Sequence, residues 1–154
     1  MSRVIPYVRV IGPKNSGKTC LIEALVRELS ARGLRVGTIK HDAHQFEIDH
    51  EGKDTWRHRQ AGSVATVICS ASQLALMCNV IEAPSIPELV ARYFDGCDVV
   101  LVEGYKTDAS PAICLGEVST EGRVLASLPQ GHGLTAEQIG ELADLVQTLP
   151  HGAE

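Results

Sequence analysis

Gly12-Pro13-Lys14-Asn15-Ser16-Gly17-Lys18-Thr19 fits the pattern G-x-x-x-x-G-K-[ST], a spacing suited to wrapping a phosphate chain. Gly12 and Gly17 permit a tight turn and a close backbone approach. Pro13 has no N–H to give, so the donors must run from Lys14 through Asn15, Ser16, Gly17 and Lys18 to Thr19. The Lys18 ammonium is placed to reach β- and γ-phosphates, and the Thr19 hydroxyl to ligate Mg²⁺. Lys14 adds positive charge that either touches phosphate or faces solvent. Cys20, next in the chain, joins the candidate contact set by position. Thiols near a helix N-terminus are acidified, although packing as a small hydrophobe is its simpler role.

A second group follows the run Val99-Val100-Leu101-Val102. A carboxylate after four apolar residues, here Glu103, suits a nucleotide site, holding Mg²⁺ through water or orienting an attacking water. Gly104 would then offer a backbone N–H near the γ-phosphate. Asp42, after Lys40 and His41, is a second Mg²⁺ candidate, with plain loop solvation as the alternative. His41, His44, His50 and His58 lie close in sequence, but their spacing diagnoses no metal site and no cysteine lies nearby. They are better read as lining a loop that meets an anion. Lys53, Arg57, His58 and Arg59 form a local basic cluster, open to reading as a phosphate or partner contact or as a solvated helix face. Trp56 among them is either core or an anchor for a partner. The guanine-reading pattern N-K-x-D is absent, because the only asparagines are Asn15 and Asn79. Base identity is therefore not set by residue chemistry.

These groups need a scaffold. The apolar run before the loop predicts a strand over 5–11, and Leu21, Ile22, Leu25 and Leu29 predict a helix over 17–32 stopped by Gly33. A strand follows at 34–40. The polar stretch from His41 to Lys53 is long for a simple connection, which favours a functional loop. A short helix at 54–61 precedes two strand-like runs, 63–69 and 73–80, split by Ser70-Ala71-Ser72 as in a hairpin. Pro84 and Pro87 flank the start of a helix reaching Phe94. Residues 98–102 read as a buried parallel strand, with further strands at 112–118 and 124–127. Thr135 and Gln138 form a capping box for a last helix carrying Ile139, Leu142, Leu145 and Val146 on one face. Alternating strands and helices predict an α/β three-layer fold of the P-loop NTPase type with a mainly parallel sheet, as one domain over 1–154. Its ligands belong at the carboxyl ends of the strands.

The chain has 154 residues, 44% of them apolar, and a net charge of −5, which argues against a basic nucleic-acid binder. No apolar run approaches a membrane span, and Met1-Ser2-Arg3-Val4-Ile5-Pro6 is no signal peptide. Five cysteines without a C-x-x-C read as reduced thiols, mostly buried, in a cytoplasmic protein.

The stretch from Gly37 to His44, then Phe46-Glu47-Ile48-Asp49, then Gly52 to Gly62, resembles the signature region of the molybdopterin-guanine dinucleotide biosynthesis protein B family, MobB. The phosphate loop and Val100 to Lys106 agree with that family as well. By motif the resemblance spans about residues 4 to 106. Cys20 departs from it, standing where Thr or Ser is common, and the segment after Asp108 carries no matching motif. The resemblance implies a homodimeric GTP-binding adaptor with weak GTPase activity. Such a protein assists the guanylyltransferase that joins GMP to molybdopterin. GTP and Mg²⁺ would be held by Lys18 and Thr19, with Asp42 and Glu103 as acidic partners of metal or water. The stretch from Asp49 to Gly62 would serve the dimer, the pterin phosphate or the transferase, and molybdopterin is itself a candidate ligand. Two other readings stand beside this one: a P-loop small-molecule kinase using ATP, and a carrier that never hydrolyses nucleotide. No arginine finger is evident, which agrees with slow hydrolysis.

Overall fold

The strand before the phosphate loop, β1 (Tyr7–Ile11), lies at the centre of a five-stranded sheet. The structure, a computed structural model, describes residues 4–42, 46–131 and 133–150. On one side of β1 stand β5 (Val99–Glu103) and then β2 (Val36–Lys40). On the other stand β6 (Ala112–Leu115) and then β7 (Val124–Leu128). All four pairings are parallel, with Val10 opposite Glu103 and Lys40 also opposite Glu103. The register sets the carboxyl ends of β1, β2 and β5 level, which is where the candidate polar groups lie.

The apolar run of β5 is continuous because both faces are covered. Val99 and Leu101 join Val8, Val10, Ile113 and Leu115 under α1 (Lys18–Ala31) and α4 (Ala136–Gln147). Val100 and Val102 pack on the opposite face with Ile86 and Val90 of α3 (Ile86–Tyr93). The result is the expected three-layer arrangement. Helix α1 buries Leu21, Ile22, Leu25 and Leu29, each contributing about 1.5–3 kcal/mol of transfer free energy. It stops as expected at Gly33, whose φ is +86°. The N–H groups of Gly33 and Leu34 return to the carbonyls of Ser30 and Leu29, the bonding of a Schellman stop. The capping box on α4 is present in both directions, Gln138 N–H to Thr135 Oγ1 and Thr135 N–H to Gln138 Oε1. One expectation for α4 needs correction. Leu145 is exposed, and Ala143 takes its place in the buried stripe with Ile139, Leu142 and Val146. The 3.6-residue period turns position 145 away from the sheet.

The expected single domain over 1–154 contains two compact units, one of residues 1–41 and 86–154 and one of residues 42–85. The second unit holds α2 (Asp54–Gln60), β3 (Ala65–Cys69) and β4 (Leu74–Cys78). The two strands form the expected antiparallel hairpin. Thr66 and Met77 point to one face of it, where Thr66 is buried. Ala65, Val67, Cys69, Leu74, Leu76 and Cys78 share the other face, and all six are exposed. This arrangement also overturns the expectation of mostly buried thiols. Cys114 is buried and Cys97 partly so, whereas Cys20, Cys69 and Cys78 are exposed.

Candidate nucleotide site

The phosphate loop is shaped by backbone conformations that few side chains tolerate. A Cβ at Gly12 would stand 2.6 Å from the Leu115 carbonyl and 2.7 Å from Ser16 Oγ, so the position has no room for one. Asn15 and Gly17 are left-handed, with φ of +60° and +96°. Alternation of this kind turns successive N–H groups inward to form an anion-binding concavity. Gly17 is also the N-cap of α1. It offers no side-chain cap, and the first turn holds no acidic residue. The free N–H groups and the positive dipole end thus stay available to an anion. Ser16 Oγ is buried and has no hydrogen-bond partner among the described residues, an orphaned polar atom within the loop itself. All of this fits a phosphate chain.

Lys18 Nζ folds back over the loop and donates to the carbonyls of Gly12, at 3.3 Å, and Pro13, at 2.5 Å. Lys14 is exposed and Cys20 stands exposed on the first turn of α1. Thr19 Oγ1 donates to Glu103 Oε2 at 3.1 Å, bridging the loop to the end of β5. Glu103 Oε1 lies 4.0 Å from Lys40 Nζ, and the Glu103 side chain is only 14% exposed. A hydroxyl and one carboxylate, completed by phosphate oxygens and waters, is the donor set Mg²⁺ prefers. Among the described residues, no three His, Cys, Asp or Glu side chains gather into a metal site. Of the histidine stretch, His44 lies outside the described residues.

Gly104 does not do what the sequence suggests. Its N–H donates to the Val10 carbonyl at 3.2 Å, extending the β1–β5 ladder by one rung, and so is not turned to a γ-phosphate. What Gly104 supplies is the turn, with φ of +97° and a side where a Cβ would stand 3.0 Å from the His41 carbonyl. Tyr105 follows in the left-handed region at +53°, a conformation costing a non-glycine residue about 1–2 kcal/mol.

Arg9 holds that turn in place, a role the motifs do not single out. The signal is present in the sequence all the same, since a charged residue stands at the centre of an apolar strand. Its side chain is fully buried. Nη1 donates to the Tyr105 carbonyl at 2.8 Å and the Lys106 carbonyl at 3.3 Å. Nη2 donates to the Ser110 carbonyl at 2.6 Å and Thr120 Oγ1 at 2.8 Å, and Nε to Ser110 Oγ at 3.1 Å. Burial lowers its pKa from the ordinary value, and Asp108, 3.8 Å away, chiefly opposes this. The His41 ring lies 4.3 Å from that of Tyr105 and secures the same segment from the β2 side. The loop after Glu103 is thereby pinned to β1, the strand that carries the phosphate loop.

Asp42 begins the second unit, and its role toward Mg²⁺ stays an expectation. In the basic cluster, Lys53, Arg57 and His58 are exposed, while Arg59 Nη1 stands 3.6 Å from Asp49 Oδ2. Trp56 is half-buried on a helix that has no fully buried residue.

Known proteins resemble this chain over most of its length. The family model for molybdopterin guanine dinucleotide synthesis protein B, MobB, matches residues 7–130. A molybdopterin-guanine dinucleotide biosynthesis adapter protein of Haemophilus influenzae is 40% identical over 117 residues, covering 75% of this chain and 65% of that one. The Escherichia coli adapter protein is 35% identical over 118 residues, covering 73% of this chain and 66% of that one. The match thus spans just under two thirds of the length of these relatives. The crystal structure of Bacillus subtilis MobB superimposes with a TM-score of 0.73 at 26% identity, covering 96% of this chain and 100% of that one. With the phosphate loop, the Thr19–Glu103 bridge and most of its length inside these matches, the chain belongs to the MobB family.

Proposed function

We propose that this protein is a GTP-binding adaptor with slow hydrolysis, assisting the attachment of GMP to molybdopterin. The observation that carries the nucleotide part is the hydrogen bond from Thr19 to Glu103 at the mouth of the phosphate loop. The pathway part follows from the family and from the names of its relatives. Backbone N–H groups from Lys14 to Thr19 hold the phosphates, and Lys18 exchanges its carbonyl partners for the β- and γ-phosphates. When bound, Mg²⁺ neutralises charge between the phosphates and orders them. Thr19 offers it a direct ligand, and Glu103 holds or orients water beside it. Asp42 is a further acidic partner in this reading.

Slow turnover agrees with four of the arginines being held by other partners. Arg9 is pinned to the loop after β5, Arg27 pairs with Glu23, Arg32 with Glu28 and Asp144, and Arg35 with Asp98. Without an arginine at the transferring phosphate, hydrolysis in such sites runs about 10³–10⁵-fold slower. The adaptor's partners are a guanylyltransferase and a second copy of the chain. The exposed apolar face of the hairpin supports a protein contact, since a patch of this kind marks an interaction surface. No helix is long and apolar enough to cross a membrane among the described residues.

Calorimetric titration with GTP–Mg²⁺ against ATP–Mg²⁺ tests the reading. A clear GTP preference with slow release of phosphate is the expected result. Preference for ATP, with label passing from the γ-position to a small molecule, would replace it by the kinase reading.

A further inference from the structure

The second unit contains a cavity of about 320 Å³ between α2 and the segment before it. Its walls hold one side chain that is prepared for a ligand. The Asp49 side chain is only 8% exposed. Asp49 Oδ1 is saturated, accepting from Thr55 Oγ1 at 2.9 Å and from the His50 N–H at 3.0 Å, which fixes the carboxylate plane. Asp49 Oδ2 is buried and has no hydrogen-bond partner among the described residues. Arg59 Nη1 covers it at 3.6 Å, too far for a hydrogen bond. The ion pair with Arg59 offsets the charge, but the hydrogen-bonding capacity of this oxygen is unmet, and an N–H donor would fill it.

The other walls narrow the class of donor. Glu47, Asp49 and Glu51 oppose a single guanidinium, Arg59, so the lining repels phosphate and carboxylate. The pterin phosphate is thereby a poor occupant. Trp56 forms a wall and Phe46, 71% exposed, stands at the rim, which suits a flat ring. Gln60 and Arg59 add donors for a ring carbonyl.

The geometry points to a site for a planar, uncharged heterocycle that presents adjacent N–H and amino donors beside a carbonyl, the 2-amino-4-oxopyrimidine edge shared by pterin and guanine. The choice of this ring among such heterocycles rests on the proposed function. The site itself rests on the orphaned Asp49 oxygen and the aromatic walls.

The test is calorimetric titration of the whole protein with 6-hydroxymethylpterin and with guanosine, followed in parallel by the fluorescence of Trp56, the only tryptophan. Saturable binding of at least one ring with a change in Trp56 emission is expected. Lumazine keeps the ring N–H but carries a carbonyl in place of the 2-amino group, and is expected to bind at least about tenfold more weakly, because an acceptor then faces the Asp49 carboxylate where a donor stood. Asp49→Asn is expected to weaken ring binding by a similar factor. A repeat with a non-hydrolysable GTP analogue present identifies the source. Persisting ring binding assigns the cavity to a pterin, and displacement assigns it to a guanine ring. The proposal is overturned if neither ring binds saturably, or if lumazine binds as tightly as the pterin, an outcome that requires no variant to fold. Lys18→Ala is expected to lose GTP and keep the ring, so loss of the nucleotide reading and loss of this one are told apart.

Discussion

Thr19 and Glu103, 84 residues apart, meet through a 3.1 Å hydrogen bond because β1 and β5 are adjacent parallel strands ending in register. The hydroxyl donates, so the carboxylate is held with one oxygen on the phosphate loop and the other facing Lys40 at 4.0 Å. Replacing Glu103 by Gln keeps an acceptor for Thr19 and removes the charge. GTP hydrolysis is expected to fall by about 10²-fold or more, the usual contribution of a positioned acid or base, while GTP affinity changes far less. Single-turnover phosphate release read beside calorimetric affinity checks this. Turnover at the parent rate would remove Glu103 from the mechanism.

Lys18 makes its two hydrogen bonds within the loop, to Gly12 and Pro13, and none to the sheet or the helices. Lys18→Ala should therefore leave the fold standing and strike the ligand alone. Loss of a charged hydrogen-bonding partner of phosphate is worth about 1.5–3 kcal/mol, or about 10- to 150-fold in GTP affinity. Melting temperature and affinity measured on the same preparation separate the two effects. Unchanged affinity would sink the phosphate-loop assignment.

Much of this site is legible in the amino-acid sequence, for a physical reason. A loop of fixed spacing between a strand and a helix is a local object, and Gly12, Gly17, Lys18 and Thr19 act through backbone conformations that their types dictate. Glu103 is legible because a strand buried on both faces is a continuous apolar run, and its first polar residue marks the strand end. Tertiary relationships are not. The donation of the Gly104 N–H to Val10, the clamping of Tyr105 by Arg9 and the exposure of Cys69 and Cys78 depend on which strands become neighbours, and no local pattern encodes that. The exposed position of Leu145 is a nearer miss, lost by extending an apolar stripe one residue around the helix.

Arg9 supports the loop after Glu103 through the carbonyls of Tyr105, Lys106 and Ser110, the first of which also accepts from the Asp108 N–H at 3.1 Å. Arg9→Met keeps the length of the side chain and removes every one of those bonds. It leaves the Tyr105, Lys106 and Ser110 carbonyls and Asp108 without their cation. Breaking such a buried cluster costs about 3 kcal/mol, at the low end because Asp108 is partly exposed. For a chain of this size that is a fall in melting temperature of about 6–12 °C. Thermal unfolding followed by circular dichroism reads it directly. A shift below about 2 °C would mean that the Tyr105 turn stands without Arg9.

The cysteines report on the two surfaces that the proposed function requires. Cys114 is buried, and burial raises its pKa above the ordinary thiol value, with Arg9 opposing. A raised pKa means less thiolate at any pH below it, so Cys114 should alkylate last on both counts. Cys20, on the first turn after the phosphate loop, should label readily in the free protein and be protected by a GTP analogue with Mg²⁺. Cys69 and Cys78 share the apolar face of the hairpin with Val67, Leu74 and Leu76. If that face is the contact between two copies, their labelling should slow as protein concentration rises, while Cys20 stays unaffected. A Val67→Lys, Leu76→Lys pair should restore fast labelling and shift the mass in solution toward the monomer. Timed alkylation with mass spectrometry, across a concentration series, measures all of these at once. Labelling of Cys69 and Cys78 that is fast and independent of concentration would rule out a second copy on the hairpin face.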